Sequence, residues 1–366
     1  MLRFAFAALL IIHGLIHLMG FARAFGLAEF SQLSQSISKT RGLLWLLAGL
    51  LYAVAMVFFL IRKEVWWMLA IPALIVSQVL IFLYWQDAKF GTIPNLLALI
   101  ACVMAYGQWH FLHTSAAETS VLLPESLKDQ QLVKEEMFAD LPEPVSTWLS
   151  ASGIVGKPMI STAHLYQAGS MRTSPDGPWM PVQAEQWFRV PEPGFIWTAE
   201  VGKGSLMQFS GRDMYLEGKG HMLIKVHGLI TAVNAQGEEI NQGTLVRYLS
   251  EIIWFPSAAL APYLRWEAAG PGKARASMSY QGASASGTFS FNEYGKMVSF
   301  EAARFYQRDK EATLENWYVE VDPESYRSFE GITVPTRASV TWKLAEGDYT
   351  WYHLEVKEIS YDVLPE

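Results

Sequence analysis

Cysteine is nearly absent from this 366-residue chain, in which Cys102 is the one cysteine. A single thiol cannot form a disulfide or a cysteine-based metal site within one chain. Standard catalytic strings are missing too: there is no Gly-x-Ser-x-Gly turn, His-Glu-x-x-His helix, phosphate-binding loop or dinucleotide fingerprint. The sequence therefore predicts no catalytic residue and no cofactor, and it leaves open whether the protein is an enzyme.

Charged residues are scarce in the first third of the chain. Residues 1–110 hold seven Lys or Arg and three Asp or Glu, a net charge of +4. The remainder holds 21 basic and 32 acidic residues, a net charge of −11. An acidic domain repels phosphate backbones, so nucleic acid is not an expected partner.

The first third instead contains four long apolar stretches, at residues 2–22, 43–61, 65–85 and 93–111. At about 1.5 Å rise per residue, a helix of this length crosses a hydrocarbon core of about 30 Å. The sequence therefore predicts a four-helix transmembrane domain over residues 1–113. A linker is expected over residues 114–143, followed by a large extramembrane domain over residues 144–366.

The basic residues of the loops indicate the orientation in the membrane. The loops after the first and third stretches carry four Lys or Arg and the opposite side carries three, which favours the first side as cytoplasmic. We therefore expect an inner (cytoplasmic) membrane protein whose large C-terminal domain is extracytoplasmic. The alternative for the first stretch is a signal peptide, since Arg3 precedes it and Ala22-Arg23-Ala24 resembles a cleavage site.

His13 and His17 lie one helical turn apart within the first apolar stretch and share a helix face. Ionisable groups inside a membrane often mark a metal, cofactor or proton path, which makes the pair a candidate metal site. Two imidazoles without a further ligand do not complete such a site. The alternative is a pair of neutral rings bonded to neighbouring helices, with Ser77 or Gln78 as partners.

The C-terminal region changes from helical to two-residue periodicity. Strands are expected at residues 182–190, 195–201, 221–226, 274–280, 288–291, 297–305, 317–321, 337–344 and 349–356. A helical pattern over residues 243–253 interrupts them, and Pro256 opens a second short helix. The predicted fold class is an α-helical membrane domain plus a mainly antiparallel β half-barrel, or curved sheet, with a helical insertion.

Four strings carry a resemblance to a known family: IHGLIHLMGF at 12–21, DAKFGTI at 87–93, QGTLVRYL at 242–249 and WFPS at 254–257. With them the chain resembles, along nearly its whole length, a bacterial family of unknown function with a four-span membrane part. That family has no assigned activity, so the resemblance gives no residue a role. Residues 331–337 and the two strands after them are similar to the closing hairpin of lipoprotein-sorting half-barrels, which implies a fold that binds acyl chains.

The mouth of a half-barrel is apolar and is a usual place for a lipophilic ligand. The expected ligand-binding residues lie on the inner strands and around the helical insertion: Trp187, Trp197, Arg247, Tyr248, Trp254, Phe255 and Trp266. Trp254 and Phe255 stand at a corner between two helices, where a lid over residues 243–260 would lie. Core packing is the alternative for each aromatic ring, and a surface Arg–Glu pair is the alternative for Arg247.

Three functions remain open from the sequence. The first is a carrier that binds or transfers a lipid or other lipophile. The second is an enzyme acting on a lipid-like substrate, which requires two of Asp213, His221 and Arg247 to converge within about 3–4 Å. Asp213, Glu217 and His221 have a suitable spacing, but alternation in a hairpin predicts that they share a solvated strand face. The third is a partner-sensing interaction module, which an exposed apolar patch without a cavity would favour.

Overall fold

The structure is a computed structural model of the chain. It describes residues 2–126, 131–205, 207–308 and 311–365, so residues 127–130 of the expected linker lie outside the described residues. The chain divides into two compact units. The first is Met1–Phe111 with His227–Leu229, and the second is Leu112–Val226 with Ile230–Glu366.

The first unit is built from long apolar helices. The helices in this part of the chain are α1 (Leu2–Ala24), α2 (Lys39–Leu60), α3 (Trp66–Leu83), the short α4 (Trp85–Ala88) and α5 (Thr92–Leu122). Among the described residues, four helical stretches are long and apolar enough to cross a membrane: Arg3–Ala24, Lys39–Leu60, Trp66–Leu83 and Trp85–Leu122. They overlap the four stretches expected from the sequence, although α5 continues to Leu122.

Small residues allow α1 and α2 to approach each other closely. A Cβ atom added at Gly49 would lie 2.9 Å from the carbonyl oxygen of Gly14, and one added at Gly14 would lie 3.2 Å from the oxygen of Gly49. Trp45 of α2 covers Gly20 of α1 in a similar way. Close backbone approach at glycine is a usual way for helices to pack in lipid, where contact between surfaces replaces the hydrophobic driving force.

The second unit consists mainly of β-strands. Its α-helices within the described residues are α6 (Glu143–Ala151) and α7 (Glu238–Glu251). Its strands are β1 (Thr162–Met171), β2 (Met180–Arg189), β3 (Gly194–Val201), β4 (Phe209–Leu216), β5 (Lys219–Val226), β6 (Ile230–Gln236), β7 (Leu264–Ala268), β8 (Lys273–Tyr280), β9 (Ala283–Phe291), β10 (Met297–Gln307), β11 (Ala312–Val321), β12 (Tyr326–Phe329), β13 (Ile332–Pro335), β14 (Arg337–Leu344) and β15 (Gly347–Tyr361). A 3-10 helix over Pro256–Leu260 stands where the second short helix was expected.

Within the described residues, thirteen strands form one antiparallel sheet in the order β6-β5-β4-β3-β2-β1-β15-β14-β11-β10-β9-β8-β7, and β12 pairs with β13 separately. β6 and β7 are the two edges, so the sheet is not closed into a barrel. α7 contacts β4 and β5 near one edge and β9 and β10 near the other, which requires the sheet to curl around it. The predicted half-barrel with a helical insertion is thus confirmed.

The core lies on the concave side of the sheet, around α7. β8 alternates between exposed and buried positions, as a strand with one solvent face does. β3 is buried on both faces, because Phe195 faces the concave core while Ile196 packs against Leu122 at the end of α5. The sheet is therefore covered on both faces at β3.

Candidate functional site

A cavity of about 520 Å³ lies between α7 and the concave face of the sheet. Its walls are mostly apolar and include many large side chains, among them Met171, Met180, Trp197, Phe209, Met222, Trp254, Trp317, Trp342, Trp351 and Leu354. A volume of about 300–1,000 Å³ with apolar walls and a few polar groups is typical of small-molecule sites. The cavity is therefore the candidate functional site in the part of the chain that the structure describes.

The cavity is lined at both ends of the half-barrel, at one end by the first positions of β10 and β14 and at the other end by a larger group. Met171 and Met180 stand on the two sides of the β1–β2 connection, and Val201 and Phe209 stand on the two sides of the β3–β4 connection. Gln307, at the last position of β10, also lines it. Antiparallel strands turn at alternate ends of a sheet, so all these positions share one end. We call this end the mouth of the cavity.

Arg247 of α7 faces the cavity between two carboxylates. Its Nη1 donates to Oδ2 of Asp213 in β4 at 2.8 Å, and its Nε donates to Oε1 of Glu251 at 2.9 Å. The guanidinium carbon lies 4.8 Å from the ring centroid of Trp197. The Arg–Glu pair predicted for the surface is thus present but buried, because α7 lies inside the half-barrel rather than on it.

A chain of hydrogen bonds continues from Glu251 into the sheet. Nε2 of Gln186 in β2 donates to Oε2 of Glu251 at 2.8 Å, and Nε2 of Gln167 in β1 donates to Oε1 of Gln186 at 2.9 Å. The indole N–H of Trp197 in β3 donates to Oε1 of Gln167 at 3.1 Å. We call this set the polar chain; its members are Trp197, Gln167, Gln186, Glu251, Arg247 and Asp213. Four neighbouring strands thus hold the two charged residues of α7 in place.

Burial sets the charge states within the polar chain. Burial alone would lower the pKa of Arg247, but the carboxylates of Glu251 and Asp213 outweigh it and raise that pKa above its ordinary value. Burial raises the pKa of Glu251, against the opposing effect of Arg247 and of the hydrogen bond from Gln186. Arg247 is therefore a permanent cation, whereas Glu251 takes up a proton more readily than an exposed glutamate does.

A second arginine, Arg304 of β10, lines the cavity without a partner. Its guanidinium carbon lies 4.9 Å from the ring centroid of Trp317 and 5.8 Å from that of Trp342. Within the described residues, the guanidinium of Arg304 makes no hydrogen bond and no ion pair. Its nitrogens are not completely buried, so a ligand in the cavity can reach them. Burial lowers the pKa of Arg304 to about 10, so the side chain remains charged at neutral pH.

Three of the seven residues expected from the sequence line this cavity, namely Trp197, Arg247 and Trp254. The indole N–H of Trp254 donates to the carbonyl oxygen of Pro335 at 3.1 Å, and the carbonyl of Trp254 accepts a hydrogen bond from Tyr361 at 2.7 Å. Within the segment over residues 243–260, where a lid was expected, residues 243–254 contribute an inner wall of the cavity. The 3-10 helix after them lines the second, smaller cavity instead.

The other four expected residues lie elsewhere. Tyr248 and Phe255 belong to the packed core, where both rings contact Phe188. Trp187 packs on the convex side of the sheet, with the end of α5. Trp266 lines a second, smaller cavity of about 390 Å³. The structure does not bring these four side chains to the main cavity.

The expectation that Asp213, Glu217 and His221 share one solvated face was wrong. A two-residue turn that begins at Glu217 fixes the β4–β5 register, and this register places Asp213 and His221 on opposite faces of the sheet. Asp213 faces the cavity and accepts a hydrogen bond from Arg247. On the other face, Nδ1 of His221 lies 3.0 Å from Nη2 of Arg212. Asp213 and His221 therefore do not form an acid–base pair.

In the first unit, His13 and His17 take part in a buried polar cluster. Nε2 of His17 lies 2.9 Å from Oγ of Ser77, and Nε2 of His13 lies 2.8 Å from Oδ1 of Asn95. The hydroxyl of Tyr52 donates to the same oxygen of Asn95 at 2.6 Å. Ser77 was one of the two partners expected. Among the described residues there is no group of three or more His, Cys, Asp or Glu that could hold a metal ion.

Sequence reasoning missed Gln167, Gln186 and Arg304 as parts of the site. Each stands at an inward-facing position of its strand, in line with buried apolar residues. In β10, for example, Arg304 continues the inward row of Phe300 and Ala302. A polar or charged side chain in an inward row was the available signal, because such a group needs a buried partner or a ligand.

The fold and the site together define a class of protein: four apolar helices followed by an antiparallel half-barrel with an apolar, ligand-sized cavity. Residues 131–354 match the family of unknown function DUF6544, and the chain belongs to that family. The predicted membership of a family without an assigned activity is thus confirmed. A comparison with curated proteins finds no significant match.

Among solved structures, the chain is similar to a domain from Vibrio parahaemolyticus described as an outer membrane lipoprotein-sorting protein domain. The two share 7% sequence identity with a TM-score of 0.37, and the match covers 61% of this chain and 93% of that chain.

Proposed function

We propose that the half-barrel binds, or hands on, a lipophilic molecule in the cavity between α7 and the sheet. The observation that carries this proposal is the cavity itself, about 520 Å³ of space enclosed mainly by apolar side chains. Protein interiors are normally close-packed, and an unfilled apolar cavity loses the contacts that its walls would otherwise make. An apolar ligand restores those contacts, so a cavity of this kind favours a binding function.

The composition of the walls supports an elongated apolar ligand. Met171, Met180 and Met222 contribute flexible, polarisable side chains that adapt to irregular shapes. The rings of Trp317 and Trp342 contribute large apolar surfaces. Because the cavity reaches one end of the half-barrel, a ligand can keep its apolar part inside while it enters through the mouth.

We further propose that the chain is a multi-pass protein of the inner membrane, with the half-barrel outside the cytoplasm. Four apolar helices of spanning length support the membrane attachment. The small excess of Lys and Arg on the loops after α1 and α3 supports the orientation. A binding domain tethered to a membrane meets lipophiles from that membrane at a high effective concentration.

The enzyme hypothesis has one observation in its favour, since Asp213 and Arg247 do meet at 2.8 Å. However, Oδ2 of Asp213 and both oxygens of Glu251 already accept hydrogen bonds, and His221 lies on the other face. These contacts neutralise a buried arginine, and among the described residues Oδ1 of Asp213 is the one oxygen of the two carboxylates without a hydrogen bond. An exposed apolar patch without a cavity would favour the interaction-module hypothesis, and the presence of the cavity favours the carrier instead.

The proposal is tested by native mass spectrometry of the full-length protein in lipid nanodiscs, made in a bacterial host, with its solvent extract analysed in parallel. We expect a co-purifying lipophile of defined mass. The blocking variant is Gly211→Leu, because Gly211 lines the cavity and a Cβ there meets only Trp197, at 3.6 Å. The added side chain points into the cavity, and we expect the bound mass to disappear.

The matched control is Ala303→Leu, which places a leucine at an exposed position of β10 outside the cavity. This variant should retain the ligand at the wild-type level. A clean apo mass for the wild-type protein after incubation with lipid extract would exclude the carrier function. Equal occupancy of wild type and Gly211→Leu would place any bound lipophile outside this cavity.

A further inference from the structure

We propose that the ligand is an anionic amphiphile whose carboxylate or phosphate group binds Arg304. This inference rests on the proposed carrier function and names the class of ligand that the cavity takes. The shared chemistry is an acyl chain with one anionic end, as in a free fatty acid or a lysophospholipid. The apolar part would occupy the remaining space of the cavity.

Arg304 differs from the other arginines of the cavity. Five arginines line it among the residues that the structure describes: Arg172, Arg212, Arg247, Arg304 and Arg337. Four of these have a carboxylate or a carbonyl oxygen as partner, and Arg304 has neither. In the described part of the chain, Arg304 is therefore the one arginine of the cavity that has neither kind of partner.

The surroundings of Arg304 hold its side chain in a defined position. The guanidinium lies beside the rings of Trp317 and Trp342, which attract a cation through their faces but do not occupy its N–H groups. On the side of α7 it packs against Gly243, where a Cβ atom would lie only 3.2 Å from Nε. Glycine at this position leaves room for the arginine, so the donors are prearranged for a ligand.

An unpaired cation in an apolar cavity is energetically costly, and an anion that enters with the ligand removes this cost. The planar donor group of arginine matches the oxygens of a carboxylate or a phosphate in a two-bond geometry. Asp213 and Glu251 lower the energy of the Arg304 charge through space, but both are bonded to Arg247 and neither forms an ion pair with Arg304. They therefore leave the N–H groups of Arg304 free.

The attraction is local rather than a property of the whole domain. Residues 111–366 carry a net charge of −11, which repels anions at a distance. Selection for an anionic end must then come from direct contact inside the cavity. This makes Arg304 a specificity-determining residue, and a substitution there should change which lipophile is preferred without closing the cavity.

The experiment measures binding of three probes with the same C18 chain to the full-length protein in nanodiscs: oleate, oleoyl lysophosphatidate and oleyl alcohol. We expect at least one of the two anions to bind about tenfold or more tightly than the alcohol, as for a hydrogen bond to a charged group. The oleate and lysophosphatidate arms distinguish a carboxylate ligand from a phosphate ligand. In Arg304→Met this preference should be lost, while the affinity for oleyl alcohol stays within about twofold.

Two further variants control the experiment. Arg304→Lys keeps the charge and should retain part of the preference, and Arg265→Met removes an exposed arginine and should retain all of it. Equal binding of anions and alcohol by the wild type, or an unchanged preference in Arg304→Met, would overturn the role of Arg304. If oleyl alcohol still binds to the wild type and Gly211→Leu blocks this binding, the carrier function stands even though the role of Arg304 is overturned. If no probe binds, both proposals fail.

Discussion

Nη1 of Arg247 lies 2.8 Å from Oδ2 of Asp213, and this contact joins the helix inside the half-barrel to the sheet around it. Both side chains are largely buried, at 13% and 10% exposed. Each of two buried charges is stabilised by the other, because either one alone would be a buried charge without an opposite charge beside it. The position of α7, and with it one wall of the cavity, depends on this pair and on the rest of the polar chain.

Asp213→Ala should therefore be strongly destabilising. It removes one of the two carboxylates of Arg247, and breaking a buried pair typically lowers the free energy of unfolding by about 3 kcal/mol or more. Denaturant unfolding followed by tryptophan fluorescence measures the change. The control is Asp348→Ala, which removes an exposed partner of Lys343 and should leave the midpoint unchanged. Similar midpoints for both variants would contradict a structural role of the buried pair.

Glu251→Gln should change how stability depends on pH. Burial raises the pKa of Glu251 above 4.5, so the folded protein binds this proton more tightly than the unfolded chain does. The resulting stabilisation is fully present below pH 4.5 and is lost as the pH rises through the folded-state pKa. The glutamine variant does not titrate at this position. The stability of the wild type relative to the variant should therefore fall above pH 4.5 and then level off.

The measurement for Glu251 is the unfolding midpoint of both proteins from about pH 4 to 8. Groups other than residue 251 titrate in both proteins, so the difference between the two curves isolates this carboxyl. Parallel curves over the whole range would show that the folded and unfolded states bind the proton equally.

Gly49→Leu should weaken the packing of α1 on α2. Its Cβ alone would lie 2.9 Å from the carbonyl oxygen of Gly14, so the helices have to separate. Overpacking of this kind costs about 1–3 kcal/mol, measured as a lower thermal midpoint of the purified protein in detergent. Leu50→Ala, at a position of α2 that is 53% exposed, is the control and should change the midpoint much less. An unchanged midpoint for Gly49→Leu would contradict the close crossing.

The periodicity of the sequence predicted most of the architecture. The alternation over residues 337–344 corresponds to β14 (Arg337–Leu344), and the four apolar stretches correspond to the long helices. The helical insertion was expected at 243–253, whereas α7 spans Glu238–Glu251. Its first turn was missed because Glu238, Glu239 and Asn241 are polar and do not contribute to an apolar repeat.

The composition of the cavity was only partly predictable. The polar side of α7 suggested exposure to solvent for Arg247, yet a helix inside a half-barrel can turn its polar side toward buried carboxylates. Whether Gln186 or Arg304 faces inward depends on how the sheet curls and on the register of each hairpin. Both are set by contacts between strands far apart in sequence, which local periodicity does not contain.

The polar chain also has a kinetic consequence. To swing α7 outward would break its hydrogen bonds to Asp213 and Gln186 together and would leave charges without partners, so this motion is energetically costly. A ligand of the proposed kind would therefore load and unload through the mouth of the cavity, where methionines provide plasticity. For the proposed carrier, the residence time of a bound molecule would then depend on local opening of the strand ends at the mouth. The amide hydrogens of α7 should remain protected while those of the mouth exchange.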